Sequence, residues 1–304
     1  MLHVVMYHYV RDLPRTAFPA IKGMLTDEFR AQVDGLKRRH EMASLESALD
    51  FLRGEYQPKR DLCLLTFDDG LRDHYASVSP ILAERGIQGI FFVITACAED
   101  HEVASVHMNH FLTASLGFDR YKRAFLERLE PSAPSLDGID EQTVKQIYRW
   151  DSAEVAAFKY LFNFVLDTRT RDRVVKELFA EHLGDEAEFS RALYFNWDEA
   201  RRMQQAGMIL GGHSHRHVSL SGLSDEDQSE NLIRCRQLLT INSLPQRSWP
   251  FSYPYGRHSS FKQTTVRQLQ QLGFDCAFST EIGSNAPGID RFTIRRIDCK
   301  DVTS

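Results

Sequence analysis

The stretch Leu62-Cys63-Leu64-Leu65-Thr66-Phe67-Asp68-Asp69-Gly70 runs an almost wholly apolar segment straight into two carboxylates and a glycine. A short run of this kind, closed by a turn signal, reads as a strand. Working outward, similar runs rich in β-branched and aromatic residues occur at 2–7, 90–95, 208–212, 248–253, 275–279 and 292–297. Helical patterns lie between them. Thr26 is expected to cap a helix whose apolar face is Phe29, Val33 and Leu36. Asn196 and Glu199 have the spacing of a capping box opening a helix over 197–206, closed by Gly207. Leu232 with Leu239, and Val266, Leu269 and Leu272 before Gly273, mark two more. Strands alternating with helices argue for an α/β fold with a parallel sheet, and about seven such units for a closed or nearly closed barrel.

The alternation breaks from 100 to 195. Val155, Phe158, Leu161, Phe162 and Val165 form a helical stripe, as do Val174, Leu178 and Phe179, and 131–138 has the composition of a loop between helices. We expect a helical insertion over 100–195, within one domain spanning 1–304, that caps a rim of the barrel; a separate helical bundle is the competing reading. Hydrophobic residues make up 42% of the 304 and charged residues 26%, ordinary for a globular chain with a core. A net charge of −5 and a pI near 6.2 give no broad electrostatic reason to bind nucleic acid. No run approaches the roughly 18 apolar residues of a membrane span. The apolar start at Met1 lacks a basic region and reads as a strand, not a leader. Five cysteines without a CxxC pair suggest reduced thiols and a cytoplasmic location.

The polar residues cluster where strands end: Tyr7-His8 after the first, Asp68-Asp69-Gly70 after the next, His213-Ser214-His215-Arg216-His217 after the run at 208–212, and Tyr253-Pro254-Tyr255-Gly256 after the run at 248–253. Parallel α/β barrels build active sites from the C-terminal ends of their strands, so these clusters should converge. A carboxylate with two imidazoles suits Zn²⁺ and related divalent ions and leaves a position open for water. His213 and His217 can face one point if their segment makes a helical turn. A pair using His215 is the competing assignment.

Thr66-Phe67-Asp68-Asp69-Gly70 together with His213-Ser214-x-x-His217 resembles the first two motifs of the polysaccharide deacetylase family, the chitooligosaccharide deacetylase homology domain. The similarity covers roughly 1–98 and 190–298 and implies a distorted (β/α) barrel with fewer than eight strands. It implies that Asp68 is the general base and that Asp69, His213 and His217 hold one divalent cation, zinc before cobalt, nickel or manganese. Phe251-Ser252-Tyr253-Pro254-Tyr255-Gly256 resembles the family's Pro-Tyr-Gly wall, whose backbone N–H at the position of Tyr255 binds the oxyanion. The arginine that usually precedes that motif is absent here, Pro250 and Phe251 standing in its stretch; Arg295 or Arg296 is the substitute, Arg296 preferred. The family's closing leucine-His-Asp motif is also absent, and the opening Val5-Met6-Tyr7-His8-Tyr9-Val10 resembles permuted members whose acid comes from the first strand. That assigns the general acid to His8.

The resemblance therefore implies a metal-dependent hydrolase that removes N-acetyl groups from an amino sugar in a polysaccharide, oligosaccharide or lipid-linked glycan. Tyr255, Tyr253 and Trp249 are candidates to stack on sugar faces, and His107 and His110 to lie at the surface or against substrate. Two rival readings are a carbohydrate esterase acting on O-acetyl or other acyl groups, and an inactive carbohydrate-binding barrel. The leaving group separates the first, since an alcohol needs a general acid less than an amine does. Metal content without turnover would favour the second.

Overall fold

The computed structural model describes residues 1–131, 133–134 and 140–302; most of the loop expected over 131–138 lies outside them. By its internal contacts the chain divides into two units, one formed by Met1–Asp12, Lys22–Glu102 and Ser190–Ser304, the other by Leu13–Ile21 and Val103–Phe189.

The first unit is a parallel barrel. Its strands are β1 (Leu2–Tyr7), β2 (Glu41–Met42), β3 (Leu62–Phe67), β4 (Gly89–Val93), β5 (Ile209–Gly212), β6 (Pro250–Ser252), β7 (Cys276–Ile282) and β8 (Ile294–Asp298). Seven close a ring in the order β1-β8-β7-β6-β5-β4-β3 and back to β1. The eighth, the two-residue β2, pairs with the start of β3 on the edge that β4 takes further along. It is too short to carry any periodicity, and the sequence reading missed it. β1 and β3 share the longest register, Leu2 opposite Leu62 through Tyr7 opposite Phe67.

Period-two alternation sorts the strand side chains into two buried layers. Val5, Tyr7, Leu65, Phe67, Phe91, Leu210 and Phe251 belong to one cluster, with Phe29, Val33 and Leu36 of the helix Thr26–Arg39, Ala200 and Met203 of Trp197–Gln205, and Leu232 and Leu239 of Asp225–Asn242. Leu2, Val4, Leu62, Leu64, Ile90, Phe92, Phe278 and Ile294 belong to the other, with Leu49 and Leu52 of the helix Leu45–Arg53. In this second phase the next residues along β3 and β8 are Thr66 and Arg296, so an apolar filling gives way to polar groups at the C-terminal ends of the strands. β5 needs glycine to pass this filling, because a Cβ on Gly211 would lie 2.5 Å from the Phe92 ring and 2.7 Å from the Pro250 carbonyl.

The helix ends follow local rules with one correction. Asn196 accepts from the Glu199 N–H at 2.9 Å while the Glu199 carboxylate accepts from the Asn196 N–H at 3.1 Å, the expected capping box. Thr26 is not a cap but the first residue of its helix. The cap position is Leu25, whose N–H donates to the Glu28 carboxylate at 3.1 Å.

The second unit is helical over Ser105–Leu116, Phe118–Leu126, Glu141–Ile147, Ala153–Tyr160 and Thr168–Leu183. Tyr121 and Phe125 pack edge to face on Phe158 in its interior, and Phe162 packs at a tilt against Phe125. His107, expected at the surface or against substrate, is fully buried. Among the described residues no helix is long and apolar enough to cross a membrane.

Candidate active site and metal centre

Because all strands run parallel, the segments after β1, β3, β5 and β6 leave the barrel at one rim, and each carries part of a single site. Asp68 follows β3 and its N–H donates to the Tyr7 carbonyl, which extends the ladder by one bond. Its carboxylate meets the Arg296 guanidinium end on: Nη1 donates to Oδ1 and Nη2 to Oδ2, both at 2.8 Å. Arg296 is itself fixed, Nε donating to the Ser279 carbonyl at 2.8 Å and Nη2 to the Ser252 hydroxyl at 2.9 Å. Burial on its own would raise the Asp68 carboxyl, but the Arg296 charge and its hydrogen bonds, with His213 and His8 nearby, hold it below the usual carboxylate range. The choice between Arg295 and Arg296 follows from the pleat, since Arg296 shares the inward phase of Ile294 and Arg295 is exposed.

Asp69 faces elsewhere. Its Oδ1 lies 3.4 Å from His213 Nε2 and 3.6 Å from His217 Nε2. The three ligand atoms fall within 4.8 Å of one another, all on buried residues. His213 Nδ1 lies 2.7 Å from the Ser252 carbonyl, which can only accept, so Nδ1 carries the proton and Nε2 presents its lone pair to the cluster. A backbone carbonyl that accepts the hydrogen bond of the far nitrogen in this way fixes the tautomer and the orientation of a ligating imidazole. One carboxylate oxygen and two imidazole nitrogens converging this way fit a divalent cation such as zinc.

The backbone that makes this convergence differs from the helical turn expected at 213–217. That segment is irregular, with positive φ at Ser214 (61°) and His217 (50°). The His217 N–H donates to the Ser214 hydroxyl at 2.9 Å, closing the bend that brings His217 beside His213. Asp69 (φ 82°) and Tyr255 (φ 62°) are also left-handed, so four of the five non-glycine residues with positive φ among those described lie in the site loops. His215 points away: its Nδ1 lies 3.0 Å from the Thr95 hydroxyl and its Nε2 3.5 Å from Asp100. The competing ligand pair is therefore not the one the fold assembles.

His8 follows β1 and places Nε2 4.0 Å from Asp68 Oδ2, its side chain 44% exposed. Tyr255 stands with its ring 5.1 Å from that of His217. Its turn is pinned to β7, the Thr280 hydroxyl donating to the Tyr255 carbonyl and the Thr280 N–H to that of Gly256. The other aromatic candidates have different employment. Tyr253 is buried, stacked 3.8 Å from Phe261 and donating to the Phe292 carbonyl. Trp249 precedes β6, at the opposite end of that strand from the site, under the Arg236 guanidinium at 4.1 Å. Ser252 stands in the sequence only as part of the Phe251–Gly256 motif. It touches both halves of the site, its carbonyl on His213 and its hydroxyl between Arg296 and Asp68.

The sequence profile of a family described as polysaccharide deacetylase matches residues 55–150 and 162–277. A curated protein of Bacillus subtilis strain 168, the putative polysaccharide deacetylase YxkH, is 23% identical over 100 residues, 33% of this chain and 34% of that protein. Among solved structures, IcaB from Ammonifex degensii superposes with a TM-score of 0.60 at 19% identity, over 99% of this chain and 92% of that one. The Streptococcus pyogenes deacetylase PplD in complex with acetate gives 0.59 at 15% identity, covering 98% and 91%. The deacetylase domain of Bordetella bronchiseptica BpsB gives 0.55 at 18%, covering 98% and 95%.

Proposed function

The chain belongs to the polysaccharide deacetylase family, and from that premise we propose that it is a metal-dependent hydrolase releasing acetate from an N-acetylated amino sugar in a polysaccharide, oligosaccharide or lipid-linked glycan. The observation that carries the reading is the pairing of two adjacent carboxylates with opposite partners. Asp68 is clamped by Arg296, while Asp69 shares a buried cluster with His213 and His217.

Asp69, His213 and His217 would hold the cation, zinc before cobalt, nickel or manganese. Once bound it would supply Lewis acidity, lowering the pKa of water and polarising the acetyl carbonyl. Asp68 is the base. Arg296 keeps its carboxylate ionised and aimed, so that it accepts a proton from the attacking water. As the water oxygen bonds to the carbonyl carbon, the Tyr255 N–H donates to the developing oxyanion. Protonated His8 then donates from Nε2 to the nitrogen as the C–N bond breaks, which turns a poor amide leaving group into a neutral amine. The products are acetate and the free amino sugar. The 4.0 Å separation of His8 from Asp68 sets base and acid side by side across one small reacting group. That favours an amide over an ester, whose alcohol leaves with less help.

The test is acetate release from N-acetylated amino-sugar oligosaccharides by zinc- or cobalt-loaded protein, beside its Asp68→Asn variant. Release abolished both by the variant and by a chelator supports the reading. Stoichiometric metal with turnover of O-acetyl but not N-acetyl substrates would turn it to the esterase. Neither release nor metal would refute the site assignment.

A further inference from the structure

His74 is a buried histidine that the mechanism above does not use. It opens a π-helical turn, His74–Val78, that follows the Asp68-Asp69-Gly70 loop, and π-turns tend to mark places where a side chain is aimed for function. Its ring packs across the stacked pair Phe67 and Phe91, whose centroids are 4.7 Å apart, at 5.6 Å from each. Its Nε2 lies 2.8 Å from the main-chain carbonyl of His8. A carbonyl only accepts, so Nε2 carries the proton; Nδ1 is buried with no hydrogen-bond partner among the described residues. Burial pushes the imidazole down to about 4, so the ring is neutral and the Nε2–H donor is present at any ordinary pH.

What this bond holds is the first residue beyond the β1 ladder. The register of β1 with β3 ends at Tyr7 opposite Phe67, and the Asp68 N–H takes the Tyr7 carbonyl. The His8 carbonyl, one residue on, is met by His74 instead. The chain is fastened again just afterwards. The Tyr9 carbonyl accepts from the Met24 N–H, the Arg11 N–H donates to the Met24 carbonyl, and Arg11 Nε donates to Asp73 at 2.6 Å. Two neighbours in sequence, Asp73 and His74, thus grip the segment at both ends. The His8 imidazole itself is 44% exposed, so the placement of its main chain carries much of its positioning.

We propose that His74 is a positioning residue that fixes the His8 main chain and so places the His8 imidazole for proton donation to the leaving nitrogen. The proposal rests on the reading of His8 as the general acid, and the experiment separates the two. His74→Phe keeps a flat ring against the Phe67–Phe91 stack and removes the donor; His74→Gln restores an N–H at similar reach. Both are compared with the parent and with His8→Ala, metal-loaded, on an N-acetylglucosamine oligosaccharide and on p-nitrophenyl acetate, whose leaving group needs no proton. His8→Ala should lower the amide rate by about 10²–10⁴-fold and spare the ester. His74→Phe should lower the amide rate about tenfold or more, since a displacement on the order of 1 Å costs up to about 10², with the ester within about threefold. His74→Gln should recover most of the loss, and His74→Phe should add nothing in the His8→Ala background. NMR of the His8 ring gives a readout that needs no turnover, and His74→Phe should shift and broaden it.

Equal loss on both substrates would reduce His74 to a structural residue and overturn the proposal. So would unchanged His8 resonances, or an intact amide rate beside a collapsed His8→Ala. An intact amide rate in His8→Ala would instead remove the acid assignment, and the proposal with it.

Discussion

Replacing Arg296 by methionine should both destabilise the barrel and disable the base, in amounts that the surroundings of the pair set. Arg296 and Asp68 are 0% and 3% exposed, so neither reaches water when its partner is lost. The substitution removes two charge-assisted bonds to Asp68 and one each to the Ser279 carbonyl, the Ser252 hydroxyl and the Thr66 hydroxyl, and leaves a buried carboxylate accepting from the Ser252 hydroxyl, with His8 4.0 Å away. These bonds act as one network and are not summed. Stranding one member of a buried pair typically costs about 3–5 kcal/mol, and that is the loss expected at neutral pH. Arg296→Lys should recover little, because one ammonium cannot meet both carboxylate oxygens in the plane. Adding Asp68→Asn to Arg296→Met removes the stranded charge, so stability should return while acetate release stays abolished. Urea unfolding at neutral pH measures the first quantity and acetate release the second. If Arg296→Met stays within about 1 kcal/mol of the parent, below the smallest loss expected for a buried pair, the clamp is not what holds Asp68. If the double variant is no more stable than the single one, the cost was lost packing and not a stranded charge.

Alanine at Asp69, His213 or His217 should abolish stoichiometric zinc in dialysed protein measured by elemental analysis, while Asp68→Asn should retain it and lose turnover by about 10²-fold or more. Because the folded imidazole of His74 lies at about 4 against 6.5 unfolded, the unfolded chain binds the extra proton first. Stability should be fully present above about pH 6.5, fall by roughly 3 kcal/mol towards pH 4 and level off below it. His74→Phe should flatten that limb in urea titrations run across the range. Gly211→Ala should cost about 1–3 kcal/mol of overpacking, since its Cβ would meet the Phe92 ring and the Pro250 carbonyl at once.

Most of the strands were legible because they are short apolar runs ending in a turn or a polar cluster, which is how buried parallel strands look. Their polar ends located the site for the same reason: parallel strands gather their C-terminal ends, whatever their distance in sequence. β2 had no such signature, being two residues paired to an edge. The preference for Arg296 over Arg295 had a readable basis in the alternation of Ile294, Arg295 and Arg296. His215 was harder, because its exclusion depends on left-handed backbone at Ser214 and His217, residue types that give no warning of it. His74 carried no signal, since a histidine in a helix-forming segment reads like any other until its carbonyl partner, 66 positions away, is seen. Tyr253 and Trp249 show the converse, aromatic residues near a motif that are spoken for by packing and a guanidinium.

The graded filling of the barrel divides labour along its axis. Residues such as Leu62, Leu64, Phe92 and Ile294 decide how long the ring survives, and the loops above them decide what it does. Substrate preference can therefore drift by exchange of loop residues while the lower layers stay untouched, much as a tool accepts new heads on one handle. The salt-bridged layer of Asp68 and Arg296 is the joint between the two. A change there cannot be tested by selection for activity alone or for durability alone, and variants that alter the chemistry should reach it last.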